Sequence, residues 1–372
     1  MNGALPARSD LSAIVVGAGP AGLAVSRELK VRGVEHVVLE RDEVGAGWAG
    51  YYDSLVLHTG KHLSHLPGMT MPKDMPLFPP RDRFVRYLES YAARFELPIW
   101  PGTNVVVARR GASEWLVDTG QSTLSARSLV VATGIASNPR RTELEGEDHF
   151  AGTILHSSEY RHPAPFVGRK VLVIGVGNSA GEIAAELGEA GVETAVSVRS
   201  GAHIMPLKIL GVPSQYWSVL LSRLPDPLPG AIAGATNRAL CLMRGRPPIP
   251  VPDWPVLAKP PLIGNSLPEA IRSGAVTLRG EVERVSQHAV HFRDGSEERF
   301  DVVLLATGYR PAVGLLEGLV RLDAGGFPLR DGVHSLDQPD LYFVGHVYGT
   351  TGALYTIRRD APRAARAVAE SM

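Results

Sequence analysis

Two glycine fingerprints constrain this chain more than any other feature: GAGPAG at 17–22 and GVGNSA at 175–180. Each follows a short strand pattern, the wholly apolar 13–16 and 170–174, which is apolar after Lys170. Runs rich in β-branched residues with no polar alternation read as parallel strands buried on both faces. Helical patterns follow at 21–32 and near 180–189, and second strand patterns at 36–40 and 194–198. A strand, a glycine turn and a helix in that order form the start of a dinucleotide-binding unit. The expected fold is therefore α/β, with two Rossmann-like units in one chain. A protein that holds two nucleotides commonly passes electrons between them.

The residues of the two fingerprints separate their ligands. In the first, Gly17 permits the tight turn, Gly19 lets the backbone approach a pyrophosphate, and Gly22 allows close packing of helix on strand. Pro20 and Ala21 open the helix, whose partially positive N-terminus faces the phosphates. Glu40, ending the second strand and followed by Arg41, is placed to accept hydrogen bonds from a ribose; an acid there repels a 2′-phosphate, which suits FAD or NAD. In the second fingerprint Gly175 and Gly177 repeat the first two glycines, Asn178 and Ser179 follow, and Ala180 stands in the third place, where alanine still permits close packing. Here the second strand leads to Arg199. A guanidinium in that place can pair with the 2′-phosphate of NADPH; the alternative is an ordinary surface arginine. The expected cofactors are FAD at the first unit and NADPH at the second.

Two later strand patterns, 129–131 and 302–305, end in the same word: Ala132-Thr133-Gly134 and Ala306-Thr307-Gly308. The repetition predicts a crossing between units at each place, with the NADPH-binding unit (162–294) inserted into a discontinuous FAD-binding unit (1–161 and 295–372). Within the first unit the spacing of Phe84, Tyr87, Leu88 and Tyr91 predicts a helix over 83–95. Meander strands are expected at 104–107, which contains Val105 as a cofactor contact, and at 115–117. The proline-rich stretch 205–261 is either a lid or a set of irregular helices; a final amphipathic helix is expected over 353–372.

Composition narrows the function. The chain has 372 residues and a formal net charge of zero, so no broad field is available for nucleic acid or an anionic membrane, and small-molecule partners are expected. A lone cysteine, Cys241, cannot form an internal disulfide and excludes flavin chemistry that uses a cysteine pair. Together with a start (residues 1–12) lacking a signal-peptide pattern and the absence of an apolar run of about 18 residues, this leads to an expectation of a cytoplasmic protein, monomeric or homodimeric. No histidine spacing points to a metal.

Between the fingerprints Phe150, Gly152, His156 and Tyr160 form Phe-x-Gly-x-x-x-His-x-x-x-Tyr. This resembles the signature of flavin-containing monooxygenases. Gly47 and Trp48 resemble the family's glycine-tryptophan step near the flavin; segments 57–67, 87–93 and 175–182 are most similar to the YUCCA branch, which acts on indole-3-pyruvate, and to small bacterial relatives. Baeyer-Villiger monooxygenases end a similar motif in Trp, a pattern from which Tyr160 departs.

The resemblance implies an NADPH-dependent enzyme in which reduced FAD adds O2 at C4a and one oxygen atom passes to a small organic substrate. N-oxygenation, S-oxygenation and attack on a carbonyl or 2-oxo acid share this machinery. The alternative is a flavin reductase passing electrons to a protein partner. Two positions depart from the family. After Ser54 and Leu55, His58 stands where many members have Asn, either close to the reacting flavin, with its protonation bearing on catalysis, or capping a turn. Gly345 is followed by His346 where many flavoproteins have aspartate, so the C-terminal flavin contact is altered.

Overall fold

A computed structural model describes residues 11–347 and 349–372; the reading of the chain start lies largely outside these. The first sheet is built on Leu11–Val16, flanked in parallel by His36–Leu39 on one side and Thr123–Val131 on the other. Ile99–Trp100 extends it beyond His36–Leu39, and Leu341–Phe343 lies parallel beyond Thr123–Val131. Alternate residues of the first strand face opposite ways: Ala13 and Val15 enter one core, Ile14 and Val16 the other. That is why its sequence is apolar throughout.

The first core is closed by three helices, Pro20–Val31, Arg81–Arg94 and Ala353–Glu370. The middle helix buries Phe84, Tyr87, Leu88 and Tyr91, the stripe seen in its sequence. The opposite face is covered by the hairpin Val107–Arg110 and Trp115–Asp118, which continues antiparallel onto Thr123–Val131. The strand expected at 104–107 therefore starts at its last residue; Val105 and Val106 precede it, and Val106 is 56% exposed.

The second sheet has five parallel strands in the order Val276–Arg279, Glu193–Ser197, Lys170–Ile174, Val302–Leu305 and Thr153–His156. Its central strands alternate in the same way. Val171, Val173, Val302 and Leu304 pack with the Asn178–Glu189 helix; Leu172, Val303 and Leu305 pack beneath a small antiparallel sheet. Sheet membership divides the chain differently from the expected boundaries at 161/162 and 294/295, because Thr153–His156 and Val302–Leu305 pair within the second sheet.

Both Ala-Thr-Gly words lie where the chain leaves one sheet for the other. The outgoing segment Asn138–Pro139 pairs antiparallel with the returning Tyr309–Arg310. Thr133 Oγ1 donates to Ala312 O on the return at 2.7 Å, and Thr307 Oγ1 donates to Arg140 O on the way out at 2.5 Å. The two crossings thus form one ribbon closed by a threonine on each side.

The 205–261 stretch contains two helices, Ser214–Leu221 and Leu228–Arg244, with two-residue strands before them. Its anchors are polar: Gln215 accepts from Gly60 N at 3.0 Å and donates to Thr351 O at 2.8 Å. It forms a wall over the junction of the two sheets.

Candidate functional site

Each fingerprint produces the same backbone device. Gly17 has φ +103° and Gly175 φ +129°, conformations that disfavour a side chain. A Cβ on Gly17 would lie 2.8 Å from Ala132 O, and one on Gly175 would lie 2.5 Å from Ala306 O. The alanine of each crossing word is therefore the floor of its glycine turn. Gly19 and Gly177, which cap the following helices, have no atom within 4 Å of a Cβ position. Both helix N-termini thus open onto space through which a phosphate can approach the backbone N–H groups.

The first turn opens into a cavity of about 470 Å³. Gly17, Gly19, Pro20, Ala21, Glu40, Arg41, Gly47, Trp48, Val105, Ala132, Thr133, Gly134 and Gly345, all expected at a cofactor, line it. Gly22 does not; it is the packing glycine, lying against Gly17. Glu40 is fixed from both oxygens, accepting from Ala18 N at 2.6 Å and Asp42 N at 3.0 Å. A carboxylate held this way keeps lone pairs free for ribose hydroxyls. His346, following Gly345, is buried beside Thr133, with Nε2 at 3.3 Å from Thr133 Oγ1, and does not line the cavity.

The second cavity, about 840 Å³, lies at the junction of the sheets and meets the first at Trp48, Tyr51, Ile135, Ala136, Ala353 and Leu354. His58, Asn178 and Ser179 line it. His58 Nε2 contacts Glu182 Oε1, and the Tyr52 hydroxyl donates to the other Glu182 oxygen. Burial, then the neighbouring Glu182 charge, pushes the Tyr52 hydroxyl pKa far up, so this phenol stays a donor. One carboxylate from the second unit therefore holds two side chains of the first.

Glu182 and Tyr52 stand outside the motifs recognisable in the sequence. The available signal was helical: Asn178, Glu182 and Glu186 are four residues apart on one face of Asn178–Glu189. Asn178 Oδ1 accepts from Ile263 N at 2.7 Å, and Glu186 accepts from the Tyr160 hydroxyl at 2.8 Å.

Gly175, Gly177, Ala180, Ala306, Thr307, Gly308 and Arg199 line neither large cavity. The first six build the second turn and its crossing. Arg199 lies exposed just beyond Glu193–Ser197, with no ion pair to a described residue. In the Phe150–Tyr160 signature every side chain packs. Phe150 and Tyr160 enter the two cores of the second sheet, and a Cβ on Gly152 would lie 2.6 Å from Asp301 O. His156 is 3.1 Å from Gly308 O and 2.9 Å from Ser158 Oγ; burial, only partly opposed by the Gly308 carbonyl, lowers its pKa. The signature thus fastens the return crossing to the second sheet. Among the described residues no cluster suited to a metal ion and no helix long and apolar enough to cross a membrane is present.

A Rossmann turn opening into one cavity, and a second whose helix start at Asn178 and Ser179 lines a cavity that meets the first, are the arrangement of a flavin- and pyridine-nucleotide-dependent oxidoreductase. Residues 14–205 match the family model described as "Pyridine nucleotide-disulphide oxidoreductase". The indole-3-pyruvate monooxygenase YUCCA1 of Oryza sativa subsp. japonica is 34% identical, with 94% of this chain and 90% of that protein covered. YUCCA6 of Arabidopsis thaliana is 33% identical, with 94% and 88% covered. Among solved structures, a flavin-containing monooxygenase from Stenotrophomonas maltophilia superposes with TM-score 0.76 at 25% identity, covering 96% of this chain and 98% of that one. The chain belongs to the flavin-containing monooxygenase family. It is an FAD- and NADPH-dependent monooxygenase acting on a small organic substrate and O2.

Proposed function

We propose that the first cavity is the FAD site, that the N-terminus of Asn178–Glu189 with Arg199 is the NADPH site, and that substrate enters the second cavity. The observation carrying this reading is the meeting of the two cavities at Trp48 and Tyr51. FAD, when bound, accepts hydride from NADPH and activates O2 for transfer of one oxygen atom. The chain's own residues bind and enclose. Gly19 and the helix start hold pyrophosphate, Glu40 holds ribose, and Trp48, edge-on to Phe84 at 4.7 Å, forms the wall between cofactor and substrate. The apolar 205–263 wall keeps water from the reacting atoms. His58, steadied by Glu182, is the proton-handling group of the second cavity.

The test is a reaction under labelled O2 with NADPH. One labelled oxygen atom in the organic product supports the reading. NADPH oxidation that is fast only with a protein or artificial acceptor, with no label in product, returns the chain to the reductase alternative.

We further propose a division by sheet membership, with the second unit comprising the segment between the paired crossings. The protein is read as a cytoplasmic monomer or homodimer. A single cysteine fits a reducing compartment, and sedimentation velocity distinguishes the two assemblies.

A further inference from the structure

The solvent side of the 205–261 wall is apolar. Seventeen large apolar side chains are exposed among the described residues, and nine of them fall within 210–251. Single exposed leucines are ordinary, but a contiguous apolar face marks a contact with something else. Helix Leu228–Arg244 makes such a face: Leu228, Ile232, Ala235, Ala239 and Leu242 recur at helical spacing and all are exposed. Its other side, through Ala233 and Thr236, lines the second cavity.

A hairpin adds a projecting leucine. Lys208–Ile209 pairs antiparallel with Val212–Pro213 across a two-residue turn, Leu210 at φ +51° and Gly211 at φ +78°. Such a turn needs positive φ at both places and favours Asn or Asp in the first. Leucine there is strained, and this one is also 90% exposed. Two costs at one residue mark a function and not a folding need. Leu210, Leu220, Leu224 and Ile232 are exposed and also line the second cavity, so they form an apolar collar at its mouth.

Charge decides what covers the collar. The zero net charge of the chain is unevenly placed: 205–261 carries six basic residues against two acidic ones, Asp226 and Asp253. Lys208 flanks the hairpin tip, Arg223 adjoins Leu224 and Arg238 lies on the solvent side of the helix, all three exposed. A second copy seated symmetrically would set these like charges together and shut the cavity mouth. An anionic bilayer complements them and surrounds the collar with an apolar phase.

We propose that the collar is a docking surface for an anionic lipid bilayer, with Leu210 and the Leu228, Ile232 and Leu242 stripe entering the headgroup boundary. No membrane span is involved, since a helix of this kind lies in the plane of the interface. Docking sets the mouth of the second cavity against the lipid. That this mouth admits substrate rests on the reading above; the docking does not.

The experiment sediments the full-length, FAD-loaded protein with vesicles of phosphatidylcholine alone or with about one third phosphatidylserine. Partition into the anionic vesicles is expected to be at least about tenfold stronger and to fall in about 0.5 M salt. Leu210→Ser is expected to weaken it about tenfold, and Arg238→Gln about fivefold. Val167→Ser, at a position 64% exposed outside the wall, leaves it unchanged. In Leu210→Trp the added indole is quenched by brominated lipid beyond the quenching of the parent, which places the tip in the bilayer. No partition into anionic vesicles, or equal partition of the parent and Leu210→Ser, overturns the proposal, and an equal fall in Val167→Ser does so as unspecific adsorption. A dimer that forms without lipid and is lost in Leu210→Ser makes the occupant a second copy and also overturns it. The monooxygenase reading fails on a different result, the absence of labelled oxygen in product, whether or not vesicles bind.

Discussion

Gly22 lies so close to Gly17 that a Cβ on it would sit 1.8 Å from the Gly17 carbonyl oxygen, whereas the second unit has a real Cβ, that of Ala180, in the matching place. The two glycine turns are alike, yet the first helix is set closer to its strand. Gly22→Ala is therefore expected to destabilise the protein by about 3 kcal/mol or more and to lower its FAD content. Ala180→Gly should cost only about 1 kcal/mol, the helix preference for alanine. Urea midpoints and the flavin-to-protein absorbance ratio check both.

Arg199 stands exposed at the end of the strand after the second turn, unpaired among the described residues. Loss of a charge-assisted hydrogen bond costs about 1.5–3 kcal/mol. Arg199→Ala is accordingly expected to raise the KM for NADPH by about 10- to 100-fold and leave that for NADH nearly unchanged. Equal weakening of both would remove the guanidinium from the 2′-phosphate.

His58→Ala removes the imidazole that Glu182 holds in the second cavity. If the ring handles protons there, NADPH oxidation continues while product formation falls by about 100-fold, with hydrogen peroxide accounting for the difference. A variant with the parent ratio of product to NADPH would make His58 a structural residue.

His346 is fully buried, and burial, with Arg330 adding to it, lowers its pKa from 6.5 to about 4. Between these values the unfolded chain binds more protons than the folded protein, so stability rises with pH across that window and is lost as pH falls through it. The contribution amounts to about 3 kcal/mol. Denaturant unfolding at pH 7 and pH 4.5 should show a smaller loss in His346→Leu than in the parent; equal losses would show that other groups carry the acid sensitivity.

What the sequence revealed and what it concealed follow from the range of the contacts. The 170–174 strand is legible because both its faces are buried, leaving no polar alternation, and the 81–94 helix because its aromatic stripe faces one core. Glu182 has no role legible in the sequence, since its partners Tyr52 and His58 lie 130 and 124 residues away. No local pattern encodes such a pairing. The strand expected at 104–107 shifted because apolar Val105 and Val106 belong to a loop at the first cavity, and ladder pairing starts only at Val107. In 205–261 the two-residue strands are too short to show a period, and proline obscures the helix starts.

The paired crossings, Asn138–Pro139 against Tyr309–Arg310, set how the two halves of the enzyme can move. A lone peptide tether permits swivelling in every direction. Two tethers laced by backbone hydrogen bonds and by Thr133 and Thr307 resist twisting and share any displacement between them. Of the motions open to one sheet against the other, flexing about the ribbon is therefore the one this geometry opposes least.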